Sequence, residues 1–345
     1  MLTPGDVKRA LQHYDLGTVR SVRPASHGVV NETAFVETSS GRYVVRRNQR
    51  ATGLGRIELR HQLLNWLRAR AFPSPRLIPA RNGDNAVEVD GRVFEVFTFI
   101  DGDEFNIDRP AHISGTGSIL ARYHRTVEDF PYLPPPEAPR YNPGSLLGLI
   151  ERLMQRDMMG ELAEPLNWYD RRAVHLRSLL PNEAYDALPH VLIHGDMHRD
   201  NVIFRGDAVA ALIDFDQVTV DARIVDLADA LVDFTIGATP PDWFPWGVYA
   251  GPLDPQRAAL LLEGYHTIAP LTDAECKALP VLVEVIWLQG NLRRVLGTSD
   301  AEPDYHLEVL HQGRRLSQWL QEHPDVLNLE TSEEEPTVAP SSGWG

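Results

Sequence analysis

The chain has 345 residues, 43% hydrophobic and 23% charged, with a formal net charge of -15. That is apolar material enough for one large domain or two lobes around a cleft, and it is too acidic a balance for a surface that grips nucleic-acid phosphates. One cysteine, Cys276, excludes a disulfide framework and a cysteine-rich zinc site, and no apolar run approaches the roughly 20 residues that cross a bilayer. The opening Met-Leu-Thr-Pro-Gly-Asp lacks the basic-then-apolar pattern of a signal peptide, so a cytoplasmic protein without a membrane partner is expected. The acidity has two readings, plain solubility or a cationic small-molecule partner.

Thr3 as N-cap, Pro4 as first helical residue and Asp6 near the positive end of the dipole predict an N-terminal helix. Strand-like runs at 29–38 and 42–47 flank Ser39-Ser40-Gly41 and read as a hairpin. Leu59, Leu63, Leu64 and Leu67 recur at helical spacing and predict a helix over 57–71, stopped before Pro73. Runs at 86–89 and 93–100 form a second hairpin around Asp90-Gly91. Asp101-Gly102-Asp103 breaks the pattern and is taken as the boundary between lobes. Beyond it, helical spacing runs over 113–127, 146–159 and 167–180, with a proline-rich connection at 130–143. Short β-runs at 202–204 and 209–215 enclose the turn Arg205-Gly206-Asp207, and the rest to about Gln321 is helical with loops. The expected class is α+β: a small β-rich lobe over residues 1–101, a larger mainly helical lobe over 102–329, and an acidic tail at 330–345 whose composition predicts disorder.

The chemistry concentrates in His194-Gly195-Asp196-Met197-His198-Arg199-Asp200-Asn201, followed one hairpin later by Ile213-Asp214-Phe215-Asp216. Phosphoryl transfer spreads negative charge over phosphate oxygens, so its catalysis is mostly positioning and cation placement. It needs a carboxylate where the acceptor hydroxyl arrives, and hard oxygen ligands for magnesium. An Asp in a loop, an Asn five residues on, and an Asp returned by the hairpin supply these types. His194 and His198 lie four apart, but with no third ligand at suitable spacing a zinc site is not supported. A Gly-x-Ser-x-Gly hydrolase elbow is also missing.

The order His-Gly-Asp-x-His-x-x-Asn, hairpin, Ile-Asp-Phe-Asp resembles the aminoglycoside phosphotransferase family, which includes choline kinases and type II homoserine kinases. The resemblance extends over nearly the whole chain except the tail, and it implies a two-lobed protein-kinase-like fold. It implies ATP as donor and Mg2+ as cofactor, with Asp196 as catalytic base, Asn201 and Asp214 as magnesium ligands and His194 as a brace of the loop. It also makes the turn holding Gly28 a phosphate-covering turn and Arg46 the basic residue that meets the α- and β-phosphates. Arg46 stands where many members carry lysine, a planar fork in place of a point charge. Arg47, its neighbour, points to the opposite face of the strand. Glu58 is the natural acidic partner for Arg46 on the long helix, or else a solvated first-turn acid. Residues 95–102 resemble the hinge, where the Thr98 carbonyl and the Ile100 amide would meet adenine. Asp226 resembles a position that braces the catalytic loop.

The implied reaction moves the γ-phosphoryl group of ATP to a small-molecule hydroxyl: an aminoglycoside, amino alcohol, homoserine or sugar. A catalytically silent nucleotide-binding module is the alternative, with Arg46 in its favour and the intact Asp196, Asn201 and Asp214 against it. A protein kinase would need His-Arg-Asp, Asp-Phe-Gly and Ala-Pro-Glu segments, which are missing. Trp243, Trp246, Tyr249 and Trp287 read either as an aromatic box for an amine or as packing. Asp229 and Asp233, four apart on a helix, read as cation-facing, solvated or capping. Asp216 reads as an addition to the metal or acceptor site, or as a loop cap.

Overall fold

Thr3 opens the first helix, α1 (Pro4–Leu11), with a reciprocal capping box: Asp6 N donates to the Thr3 hydroxyl (3.2 Å) and Thr3 N to the Asp6 carboxylate (3.0 Å). The computed structural model describes residues 2–25, 32–48, 53–131, 141–157, 159–237, 251–298 and 303–328. The turn containing Gly28, the aromatic residues Trp243, Trp246 and Tyr249, and the tail lie outside them.

An antiparallel sheet of five strands follows, in the order β1-β2-β3-β5-β4: β1 (Val19–Pro24), β2 (Glu32–Thr38), β3 (Arg42–Arg47), β4 (Ala86–Val89) and β5 (Arg92–Thr98). Both expected hairpins form. Asp90 (φ 52°) and Gly91 (φ 69°) adopt the left-handed conformations that a two-residue hairpin turn demands. β1 was not expected. A register shift between Val19 and Ser21 interrupts its pairing with β2, so no clean alternation marks it. Between β3 and β4 runs α2 (Leu54–Ala69), which starts three residues before the first apolar residue of its stripe.

The helical part comprises α3 (Pro110–Val127), α4 (Ser145–Arg156), α5 (Ala163–Leu179), the short α6 (Asn182–Asp186), α7 (Arg223–Phe234), α8 (Pro255–His266), α9 (Asp273–Gly297) and α10 (Pro303–Glu322). Two strand pairs are set into it. β7 (Val202–Arg205) and β8 (Ala208–Leu212) form the expected hairpin around Gly206. β6 (His190–Ile193) pairs with β9 (Thr219–Ala222), a pairing the sequence did not reveal. The β6–β9 ladder brackets the motif: the chain leaves β6 into 194–201, passes through the β7–β8 hairpin, and returns through 213–218 to β9.

Two apolar cores result. Val7, Ala10 and Leu11 of α1 pack with Ala34, Val36, Val45 and Val96 of the sheet. Leu59, Leu63, Leu64 and Leu67 of α2 join Phe97 and the helices of the C-terminal part in one continuous core. Thus α2 belongs by sequence to the β-rich half and by packing to the helical one. No helix among the described residues is long and apolar enough to cross a membrane.

The segment expected as the lobe boundary is bolted to the β7–β8 hairpin. Asp103 N donates to Phe204 O (2.7 Å) and Phe204 N to Asp103 O (2.9 Å). A Cβ on Gly102 would lie 2.3 Å from Phe204 O, so the approach requires glycine. Arg205 Nη2 donates to Asp101 O (3.1 Å), and Arg42 pairs with the Asp101 carboxylate. Gly102→Ala should therefore force the two backbones apart and lower stability by about 1–3 kcal/mol, read as a fall in thermal midpoint. An unchanged midpoint would show that the bridge is not a constraint.

Candidate active site

Asp196 and Asn201 sit on the extended loop after β6. Asn201 is buried and donates from Nδ2 to Asp196 O (2.8 Å), which fixes its amide and leaves Oδ1 the atom not committed to that bond. The same Nδ2 lies 3.5 Å from Asp196 Oδ2 and 3.0 Å from His198 Nε2. Asp196 itself is only partly buried, with His198 Nε2 3.4 Å from its Oδ2. His194 is fully buried, its Nε2 within 2.9 Å of Ile213 O, tying the loop to the segment that carries Asp214. Gly195 turns the chain with φ 75°, and a Cβ there would fall 2.5 Å from Gln217 O.

The loop is held from below by α7. Buried Asp226 accepts from His194 N (2.7 Å), Gly195 N (2.8 Å) and His124 Nε2 (3.0 Å). Asp229 accepts from Met197 N (2.9 Å) and Asp233 from Arg199 N (2.7 Å). Of the readings open for Asp229 and Asp233, the geometry adds one, reception of backbone amides. Burial, then the charges of Asp196 and Asp226, push Asp229 up to about 7.

Asp214 caps the following turn in the left-handed region, φ 62° and ψ 70°, a rare place for a residue with a side chain. Burial raises its carboxyl pKa, Arg46 opposes the rise, and Asp216 and Asp196 add to it. A pocket with that surplus of carboxylate, plus the Asn201 amide oxygen, fits a hard divalent cation. Arg46 reaches Asp214 Oδ1 (3.4 Å) and Asp216 Oδ1 (2.5 Å) from β3. Arg47 turns the other way, to Glu32 and Asp6.

Glu58 does not meet Arg46. It is exposed at the start of α2 and accepts from Gln62 Nε2 (3.2 Å). The helix instead contributes Arg60, 3% exposed, which pairs with Asp216 and with Glu95, itself fully buried on β5. Glu95 stands directly opposite Arg46 in the β3–β5 register and also receives Asn48 Nδ2 (2.5 Å) and His61 Nε2 (2.6 Å). Burial alone would raise Glu95, but the His61 hydrogen bond, the Arg60 charge and Asn48 outweigh it and hold it at about 2. A signal for this network existed. Arg60 lies on the apolar stripe of α2, and Glu95 interrupts the strand Val93-Phe94-Glu95-Val96-Phe97. A charge at either position is affordable only with a buried partner.

Asp216, left open as a metal ligand or cap, is clamped by two guanidinium groups. Thr98 and Ile100 are half-buried where β5 ends, and the Thr98 amide is taken by Arg76 O (2.9 Å). Trp287 is fully buried and meets Trp319 edge-on at 6.5 Å, so it packs α9 against α10. Gly28 lies outside the described residues.

With this geometry in place, comparison with known proteins is informative. Residues 21–271 match the phosphotransferase enzyme family. The chain belongs to that family. A homoserine kinase of Brucella canis is 27% identical over 284 residues, covering 79% of this chain and 78% of that one. The fold is that of an aminoglycoside phosphotransferase from Alicyclobacillus acidocaldarius, with a TM-score of 0.67 at 16% identity and coverage of 95% and 96%. It is also that of a spectinomycin phosphotransferase solved with ADP and spectinomycin, with a TM-score of 0.57 at 13% identity and coverage of 91% and 94%. This phosphotransferase is thus an enzyme with the kinase-like fold, of a family whose members act on small molecules.

Two outcomes follow for its electrostatics. Glu95 has a folded pKa below its unfolded value, so its contribution is present above about 4.5 and is lost as pH falls toward about 2. Glu95→Gln should flatten the stability profile over that window, and Arg60→Met alone should cost about 3–5 kcal/mol by stranding a buried charge. Asp229 has the opposite sign: its raised pKa makes the ionised form costly above about 7. Asp229→Asn should raise the thermal midpoint at pH 8, with the gain shrinking as pH falls toward 4. Denaturant melts at several pH values check both.

Proposed function

We propose that this phosphotransferase moves the γ-phosphoryl group of ATP to the hydroxyl of a small amine-bearing alcohol, with homoserine the first candidate. The observation that carries the reading is the convergence of Asp196, Asn201 and Asp214 from the loop and the returning hairpin, with Arg46 arriving on Asp214 from the sheet. Asp196 orients the acceptor hydroxyl and takes its proton as the oxygen attacks the γ-phosphorus. The bond to the β,γ-bridging oxygen breaks and ADP leaves. Arg46 moves from the carboxylates to the α- and β-phosphates. Asn201 and Asp214 hold magnesium, which when bound neutralises charge on the phosphate oxygens. His194 braces the loop, and the hinge backbone at Thr98 and Ile100 receives adenine. The ADP of the spectinomycin enzyme supports an adenine nucleotide as donor.

An amine-bearing acceptor is supported by the name of the Brucella relative. The cytoplasm, where ATP and magnesium are abundant, is the proposed site of action.

The test is magnesium-dependent ADP release against homoserine, other amino alcohols, aminoglycosides and sugars. Homoserine or another amino alcohol should stimulate the wild type, and Asp196→Ala should lose about 10²–10⁴-fold in kcat while still binding ATP. Near-normal turnover in Asp196→Ala would remove Asp196 from the role of base. No stimulation by any acceptor would favour the silent nucleotide-binding module.

A further inference from the structure

The contacts between α7 and the loop form a series. On a helix, residues three and four apart share a face and rise about 4.5 and 6 Å. Asp226, Asp229 and Asp233 have that helical spacing, and they accept in turn the amides of Gly195, Met197 and Arg199, while within the loop His198 N donates to Asp196 O (3.1 Å). The helix therefore serves as a ruler, one carboxylate for every second amide.

We infer that Asp229 and Asp233 are positioning residues for Asp196. Together with Asp226 they fix the register of residues 195–199 by reading alternate amides, so that the Asp196 carboxylate is held toward the cleft. Asp226 fixes only the start of the loop. Asp196 lies between the Gly195 and Met197 amides, so its backbone is defined on both sides only when Asp229 holds Met197. Asp233 secures the far end twice more, through Arg199 Nε (3.2 Å) and through Arg199 Nη2 to its own carbonyl (2.5 Å). Asp226, Asp233 and Asp196 all face Asp229, and burial beside them raises it to about 7, so its carboxylate stands where charge is disfavoured. Selection for stability alone would not keep it there.

The inference rests on the phosphotransfer reading for its kinetic arm only. Hydrogen exchange of the loop amides in the full chain, without ligand, tests the geometry directly. The Met197 and Arg199 amides should be protected in the wild type, and fast exchange at both would overturn the assignment without any variant. Asp229→Leu should speed exchange at Met197 by about tenfold or more while the β-sheet amides keep their rates. With L-homoserine, or whichever panel alcohol stimulates, kcat should fall about 10–100-fold, the scale of a misplacement near 1 Å. KM for ATP should change less than kcat, since Arg46 and Asp214, which would hold the nucleotide on its other side, lie outside residues 195–199. Asp229→Asn keeps an acceptor oxygen and should recover the protection and most of the turnover. Unchanged exchange in Asp229→Leu, an equal loss of protection through the sheet, or an Asn variant as impaired as the Leu variant would each overturn the proposal. If no alcohol is phosphorylated even by the wild type, the acceptor reading fails while the exchange arm still decides this one.

Discussion

One carboxylate oxygen organises the cleft. Asp216 Oδ1 accepts from Arg46 on β3 and from Arg60 on α2, so sheet, helix and the loop after the β7–β8 hairpin meet at a single atom. Arg60 in turn is neutralised by Glu95 on β5. A guanidinium this deeply buried cannot lose a partner without a penalty of several kcal/mol. Any rotation of α2 that broke one of these pairs would strand a charge and also pull Leu63 and Leu67 out of the shared core. The position of α2 is thereby fixed from three directions. Arg46, opposite Glu95 in register and with the Phe97 ring 5.4 Å away, can present only one end of its fork to the cleft.

The catalytic loop is fixed by a different economy. The loop satisfies the His198 and Asn201 amides itself but not those of Gly195, Met197 and Arg199, and buried unsatisfied amides are costly. The carboxylates of α7 meet that need, and His124, held by the Tyr265 hydroxyl at 2.7 Å, buttresses the first of them. At the other end Ile213 N donates to Asn201 O (2.9 Å), so the loop is continuous with the segment that carries Asp214. The left-handed backbone at Asp214 costs on the order of 1–3 kcal/mol, and it lies where two carboxylates and a guanidinium converge. Local strain and local charge surplus thus coincide at Asp214, the residue proposed to hold the metal.

Much of this was legible beforehand where short-range rules govern. The N-cap at Thr3, the Asp90-Gly91 turn and the β7–β8 hairpin follow from local chemistry, and each appeared as expected. The order and spacing of Asp196, Asn201 and Asp214 were readable because the hairpin that brings them together is itself local. What failed was long-range. β6 and β9 are four-residue strands too short to show a period, and their partnership is set by the closure of the whole motif. β1 is an edge strand whose register shift erases alternation. Glu58 was chosen for Arg46 by helical proximity, but the pairing is decided by cross-strand register and by burial of Arg60. Register with a distant strand is not written in the helix. The residues that broke an apolar pattern, Arg60 and Glu95, were the better guide.

The charges that remain are sorted by lobe. The sheet side of the cleft offers Arg46 and, behind it, Arg60. The α7 side offers Asp196, with His198 Nε2 3.4 Å away, and Asp233, which is largely offset by Arg199. A gradient of this kind orients two reactants before any specific contact forms. In the proposed reaction such a separation would draw a polyanionic donor toward the sheet. Arg60, held by buried Glu95, is the charge that stays fixed, and a fixed charge needs no reorganisation, the condition under which electrostatic stabilisation contributes most.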